Sequence, residues 1–130
     1  MSYQYETPEK AVISLEKAYS QEDLNGVFAS KDFEGEAKLI LTDKSYEITD
    51  ELVTATAKLL EETLKKNLQE NGFPDFSDAE RQFSELKHLN ENIYFFDEII
   101  TYPNKEIYKN KVFLTVQDSI WKVAMINQIK

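Results

Sequence analysis

The stretch NIYFFDEIITYPNKEIYKNKVFLTVQDSIWKVAMINQIK, residues 92–130, decides the fold. Its alternating apolar and polar residues surround two turn signals, which predicts three consecutive antiparallel strands. The first turn holds Pro103 and Asn104, and Lys105 must take the left-handed conformation that glycine adopts more easily. The second turn is a two-residue hairpin loop, Asp118-Ser119. Each turn fixes the register of the two strands that it joins.

These registers place three polar side chains, Glu98, Asn110 and Asn127, side by side on a concave face that is otherwise apolar and aromatic. They pair 98 with 110, 96 with 112, 116 with 121, 114 with 123, 112 with 125 and 110 with 127. A slip of one residue would scatter the apolar side chains over both faces. The polar row is therefore either the floor of a pocket or a satisfied structural network. The pocket candidates are Glu98, Asn110, Asn127, Tyr94, Tyr102 and Tyr108.

The convex face of the same sheet carries aromatic, aliphatic and charged side chains. The candidates for an interface are Phe95, Asp97, Ile99, Lys109, Lys111, Phe113 and Lys122, and Ile93, Ile107, Ile120, Ala124 and Ile126 share this face. Phe95 faces Phe113, and Asp97 faces Lys111 as an opposite-charge pair. Left exposed, the face would be a larger apolar patch than a monomer usually tolerates. We expect it to be covered by a second copy in a homodimer, by another protein, or by residues 1–6 and 73–91.

Helical patterns precede the strands. Thr7 before Pro8 is typical of a helix start, and Ser20 with Asp23 resembles a capping box that opens a short helix. A third helical run covers residues 31–41. The longest helix begins at Thr49 and ends at Gly72–Pro74, as glycine at a C-terminus indicates.

The order of these patterns predicts an α+β fold, with helices on one face of a curved antiparallel sheet. Residues 80–91 are expected to add a strand, although Phe83, Leu86 and Leu89 at three-residue spacing also fit a helix. The 130 residues are predicted to form one domain, 1–130, large enough to bury a core.

Charge and composition narrow the function. Twenty-four acidic against 15 basic side chains give a net charge of −9, with 22 of the acidic ones in residues 1–100. This acidity disfavours nucleic acid and anionic membranes and favours a basic partner. The chain has no cysteine, no apolar stretch long enough for a bilayer and no secretory signal at its start. A cytoplasmic protein is expected.

Three short stretches resemble the immunity-protein branch of the nuclear transport factor 2-like fold. Residues 31–39, KDFEGEAKL, are similar to that branch's "KDF-x-x-EA-K" segment. Residues 99–104 and 120–123 are similar to its "T-F-P-D-G" turn and its final "G-W-x-V" strand. The chain departs where Asn104-Lys105 replaces Asp-Gly and where Ile120 replaces the glycine before Trp121.

The resemblance implies a cone formed by helices and a curved sheet, and a bacterial immunity protein that neutralises a cognate secreted toxin. Such a protein works by occlusion and needs neither catalytic residues nor a cofactor. The acidic first hundred residues would suit a basic toxin such as a nuclease.

An enzyme or a small-ligand-binding protein is the alternative. Enzymes of this fold place acid–base pairs in the cone, and Glu98 in apolar surroundings would have a raised pKa. An isomerase or dehydratase would use it as a general base. A stand-alone dimeric module is a third interpretation. The one histidine, His88, is expected at the surface, and no metal site is predicted.

Overall fold

The computed structural model describes residues 3–44 and 47–129. In that part of the chain four helices come first: α1 (Pro8–Ser20), α2 (Leu24–Ser30), α3 (Phe33–Asp43) and α4 (Asp50–Asn71). A five-stranded antiparallel sheet follows: β1 (Glu80–Phe83), β2 (Lys87–Asn90), β3 (Ile93–Thr101), β4 (Ile107–Gln117) and β5 (Ile120–Ile129). The predicted α+β class is confirmed, with the element order expected of a nuclear transport factor 2-like cone.

Each helix begins at a side chain that accepts a backbone hydrogen bond from the residue three positions further on. The four capping residues are Thr7, Asp23, Asp32 and Thr49. Such caps satisfy N–H groups that have no partner within the helix. The predicted starts at Thr7 and Thr49 are confirmed. The capping box at Ser20 is wrong, because Ser20 is the last residue of α1 and Asp23 alone caps α2.

The sheet has the strand order β1-β3-β4-β5, with β2 also paired to β3. The predicted register of β3 on β4 is confirmed, with Glu98 opposite Asn110. Both predicted turns are present. Lys105 has a φ of 71°, and Asp118 and Ser119 have φ values of 53° and 65°, as a two-residue hairpin loop of type I′ requires.

A β-bulge at Ala124 changes the register of β5 on β4. Next to the hairpin loop the prediction holds, because Val116 faces Trp121 and Leu114 faces Val123. Phe113 then faces Met125, which leaves Ala124 as the extra residue. Val123 and Ala124 are both fully buried, although consecutive residues of a regular strand point to opposite faces.

The bulge makes the remaining register predictions for β5 wrong. Ile126, not Met125, faces Val112, and Asn127 faces Lys111 instead of Asn110. One extra residue moves every later side chain to the opposite face of a strand. We call the face with Glu98 the inner face and the face with Lys111 the outer face. Met125 and Asn127 therefore lie on the outer face, and Ile126 lies on the inner one.

The main core lies between the inner face, α1, α2 and the end of α4. Its buried members are Ala11, Val12, Leu15, Ala18, Val27, Leu68, Phe96, Val112, Leu114 and Val123. A smaller cluster joins α3 to α4 through Ala37, Leu41, Val53 and Ala57. Helices α1 and α4 thus turn an apolar side towards the interior.

The third helix differs from the prediction that all helices pack on one face. Asp32, its cap, donates its backbone N–H to Val123 O at 2.9 Å and accepts a 2.6 Å hydrogen bond from the Thr115 hydroxyl. Thr115 belongs to the outer face. A Cβ on Gly35 would lie 2.8 Å from Asp32 Oδ2 and 3.0 Å from Thr115 Cγ2, so any larger residue would force one of these two side chains to shift. Helix α3 therefore borders the outer face.

Candidate functional site

Glu98 is fully buried on the inner face. Asn110 lies opposite on β4 and Phe83 opposite on β1. Among the described residues, neither carboxylate oxygen of Glu98 has a hydrogen-bond partner. Its nearest recorded cation is Arg81, whose Nε lies 4.0 Å from Glu98 Oε2. This is beyond hydrogen-bond distance, so the expected satisfied network is incomplete.

Two residues that the sequence analysis missed complete the surroundings of Glu98. Arg81 on β1 faces Ile100, which places its side chain on the inner face. Its Nε donates to Glu16 Oε1, on α1, in an ion pair in which Glu16 is buried and Arg81 is partly exposed. Arg81 is the only arginine of the chain, and this could have marked it in the sequence as a candidate for a specific ion pair. Glu16 lies one helical turn after the buried Val12, which also places it on the core side.

The buried cluster of Glu16, Arg81 and Glu98 holds two carboxyl groups and one guanidinium. Burial raises the pKa of Glu98, and the neighbouring Glu16 carboxylate raises it further. Arg81 and Asn110 act in the opposite direction but do not compensate. Glu98 is therefore held in its neutral form at neutral pH. A neutral carboxylic acid is able to donate a proton, but this one has no exposed surface on which a substrate would contact it.

Of the other predicted pocket residues, Tyr102 lies within electrostatic range of Glu98: burial raises the pKa of its hydroxyl, and the charges of Glu16, Arg81 and Glu98 also act on it. Asn127 is exposed on the outer face because of the bulge. Tyr94 packs against Trp121, with ring centroids 5.2 Å apart. Tyr102 and Tyr108 form an edge-to-face pair at 5.6 Å, and Tyr108 donates a hydrogen bond to a carboxylate near the turn. The aromatic residues thus pack mainly against one another.

The interface candidates on the outer face lie as the β3–β4 register predicts. Phe95 and Phe113 pack with centroids 5.9 Å apart. Asp97 faces Lys111 in the ladder but makes its ion pair with Lys109, at 3.7 Å. Lys111 instead places its ammonium 4.5 Å from the ring centre of Phe95 and 5.4 Å from that of Phe113.

Lys122 has a structural role that the sequence analysis did not anticipate. Its ammonium donates to Ala29 O and lies 4.0 Å from the ring centre of Tyr5. Partial burial lowers the pKa of Lys122. These contacts tie β5 to α2 and to the N-terminal segment. Lys122 is therefore less available to a partner than the other interface candidates.

The "KDF-x-x-EA-K" segment also has structural contacts. Lys31 forms an ion pair with Glu36 at 3.5 Å and lies over the ring of Phe33. Asp32 caps α3 and bonds to the sheet as described above. The resemblance to the immunity-protein branch thus rests on residues that dock α3 onto the sheet, and it says little about which surface binds a partner.

A cleft of about 800 Å³ lies between α3, the end of β2 and the outer face of the sheet. Its lining residues are Lys38, Leu39, Ile40, Thr42, Asp43, Lys44, Ile48, Leu89, Asn90, Glu91, Ile93, Lys111, Phe113, Met125 and Asn127. The cleft depends on the position of α3 and on the bulge, and neither was predictable from the sequence.

His88 is exposed, as predicted, and its Nε2 lies 2.7 Å from Glu91 O. Across residues 3–44 and 47–129, no group of three or more acidic or histidine side chains is arranged to hold a metal ion. In the same ranges no helix has both the length and the apolar character needed to cross a membrane.

Comparison with known proteins adds one structural likeness. The chain matches no protein-family model and no curated protein. Among solved structures it is similar to a protein from Campylobacter jejuni provisionally assigned as an NTF2-like transpeptidase. The two chains are 18% identical, with 92% of this chain and 98% of the other covered, at a TM-score of 0.49. At that score and identity the similarity gives no information about the activity or the partners of this protein.

Proposed function

We propose that this protein is a bacterial immunity protein, which binds a cognate secreted toxin in the cytoplasm and neutralises it by occlusion. The observation that carries the proposal is an apolar surface on the outer face, here called the outer-face patch, which consists of Ile99, Ile107, Lys109 and Ile129. The side chain of Ile107 is 65% exposed and that of Ile129 is 36% exposed. Exposed isoleucine side chains around a central lysine form a mixed apolar and charged surface of the kind found at protein-binding sites.

The ladder makes the outer-face patch continuous. Ile99 faces Lys109, and Lys109 faces Ile129, so the three side chains form one row across three strands. Ile107 follows in the next row, at the end of β4. The patch therefore lies on regular strands, which hold its side chains in fixed positions and reduce the entropy lost on binding.

Charge supports a basic toxin as the partner. The chain carries a net charge of −9, and exposed carboxylates lie along α4 at Glu51, Glu61, Glu62 and Glu70. A field of this sign accelerates association with a positively charged protein. In this proposal the charge guides the encounter, and the outer-face patch supplies the apolar contact that slows dissociation.

The alternative, an enzyme that uses Glu98 in the cone, has less support. A general base must reach the proton that it abstracts, within hydrogen-bond distance or through one water. Glu98 is fully buried beneath α1 and beside the Glu16–Arg81 ion pair. The proposal therefore places binding on the outer face and gives the inner cluster no catalytic role.

Co-expression with the product of a toxin gene encoded beside this one tests the proposal. We expect growth rescue, co-purification of a stable complex, and a loss of both in the Ile107→Glu variant. Leu59→Glu is the matched control, because Leu59 is 62% exposed on α4, far from the patch in sequence. Glu98→Gln should protect as well as the unchanged protein.

Two outcomes would contradict the proposal. One is failure to rescue growth and to form a complex with any toxin encoded beside it. The other is loss of protection in Glu98→Gln while Ile107→Glu protects normally, which would favour the enzyme. A second copy is the other candidate occupant of the patch. Light scattering on the isolated protein distinguishes it, since a dimer through the patch should become monomeric in Ile107→Glu.

A further inference from the structure

The bulge at Ala124 gives the outer face a polar row beside an apolar one. Lys111 faces Asn127 in the first row, and Phe113 faces Met125 in the next. Both rows line the cleft under α3. If the same residues of β5 paired without a bulge, Met125 and Asn127 would point to the inner face. Bulges are enriched next to functional sites because they re-aim side chains in this way.

The cleft has the size and lining of a small-molecule site. Its volume of about 800 Å³ lies within the range of ligand pockets in proteins, roughly 300–1,000 Å³. Its apolar side chains come from α3, from β2 and from the sheet: Leu39, Ile40, Leu89, Ile93, Phe113 and Met125. Ile93 and Phe113, at 7% and 9% exposure, form the deeper part.

The polar end of the cleft favours an anion. Asp97, the neighbour of Lys111 in the ladder, is already ion-paired with Lys109. Among the described residues no carboxylate forms an ion pair with Lys111, and its ammonium is held over two aromatic rings. The amide of Asn127 lies directly across the ladder. A ligand with an anionic group would therefore bind favourably here, because it would give the partly buried ammonium of Lys111 the anionic partner that it lacks.

The lysines of the cleft outnumber its carboxylates, although the protein as a whole is acidic. Lys38, Lys44 and Lys111 line it, against Asp43 and Glu91. No ion pair links Lys38 to a carboxylate among the described residues. The lining therefore combines apolar side chains with one more lysine than carboxylates, which favours a ligand that is both apolar and anionic.

We propose that this cleft binds a free amphipathic organic carboxylate. Its apolar body packs on Ile93, Phe113 and Met125, and its carboxylate pairs with Lys111 and accepts a hydrogen bond from the Asn127 amide. The site is separate from the outer-face patch in its residues, and its occupancy does not depend on the toxin.

The test uses the isolated full chain and dodecanoate, kept below its micelle concentration, followed by calorimetry and by heteronuclear NMR. We expect saturable binding, with shifts at Phe113, Met125 and Asn127. Lys111→Gln should weaken it by at least about tenfold, the loss expected when one charged hydrogen bond is removed. The control Lys65→Gln, on the exposed side of α4, should bind normally.

Dodecyltrimethylammonium, which has the same chain and the opposite charge, should bind far more weakly. Equal affinity for the two detergents, no binding of dodecanoate, or unchanged affinity in Lys111→Gln with a native melting curve would each overturn the proposal. Binding to anionic vesicles with none to free dodecanoate would overturn it too. Because no toxin is present, failure here leaves the proposed immunity function unaffected, and failure of toxin binding leaves this site unaffected.

Discussion

Arg81 Nε lies 4.0 Å from Glu98 Oε2, too far for a hydrogen bond, because the guanidinium is engaged with Glu16 on α1. Two buried carboxyl groups thus share one cation. Ionising both Glu16 and Glu98 would be costly, because only one cation is present to compensate two buried negative charges. The proton that Glu98 retains removes one of these charges. This arrangement leads to two predictions about stability.

Glu98→Gln should raise the free energy of unfolding at neutral pH by on the order of 2 kcal/mol. The pKa of Glu98 is raised in the folded protein, so the folded state binds more protons than the unfolded state above about pH 4.5. Stability of the unchanged protein should therefore fall as pH rises from about 5 towards 9. Urea unfolding at several pH values measures this. If the free energy of unfolding of Glu98→Gln fell with pH as steeply as that of the unchanged protein, a group other than Glu98 would be responsible for the pH dependence.

Arg81→Met should destabilise the fold by about 3–5 kcal/mol, because it leaves the Glu16 carboxylate buried without a cation. Adding Glu16→Gln to that variant should recover part of the loss. Lys87→Met, on the exposed strand β2, is the matched control and should change stability little. A small effect of Arg81→Met in thermal unfolding would mean that Glu16 reaches water.

Gly35→Ala should destabilise α3 by about 1–2 kcal/mol. In an exposed helix the same substitution stabilises the helix, by up to about 1 kcal/mol, because alanine has the higher helix propensity. The added methyl group would meet Asp32 Oδ2 and Thr115 Cγ2 at 3.0 Å or less. Thermal unfolding next to the control Glu34→Ala measures it. A stabilised Gly35→Ala variant would contradict the tight docking of α3 on the outer face.

The register of β5 is open to a direct chemical test, because the chain contains no cysteine. Lys111→Cys with Asn127→Cys should form a disulfide on mild oxidation, since the two residues face each other. Asn110→Cys with Asn127→Cys should not, because their side chains point to opposite faces. Mass spectrometry after alkylation shows which variant has formed a disulfide. A disulfide between positions 110 and 127, and none between 111 and 127, would mean that β5 pairs with β4 without a bulge.

The turns allowed the β3–β4 register to be predicted, since Pro103 and Asn104 leave few loop geometries and the flanking residues alternate cleanly. The bulge in β5 could not be predicted for a local reason. Val123-Ala124-Met125-Ile126 is a run of four apolar residues, so either register gives an apolar inner face. No glycine or proline marks the extra residue.

The Glu16–Arg81 pair was missed for a different reason. The two residues are 65 positions apart in sequence, and a contact at that distance leaves no periodic signal. The position of α3 was missed similarly, because the apolar stripe of a helix shows that one side is buried but does not show against which surface. Glu98 itself was placed correctly, through the β3–β4 register alone.

The extra residue at Ala124 has a consequence for how such chains diverge. A last strand of the same sequence that paired without the bulge would bring Asn127 beside Asn110 and Glu98 and would take Met125 and Asn127 away from the cleft, with no substitution at any of these positions. The pairing of the last strand, rather than its composition, therefore decides which face of the sheet carries Met125 and Asn127. Relatives whose β5 pairs without this bulge should be expected to present the last residues of that strand on the opposite face of the sheet.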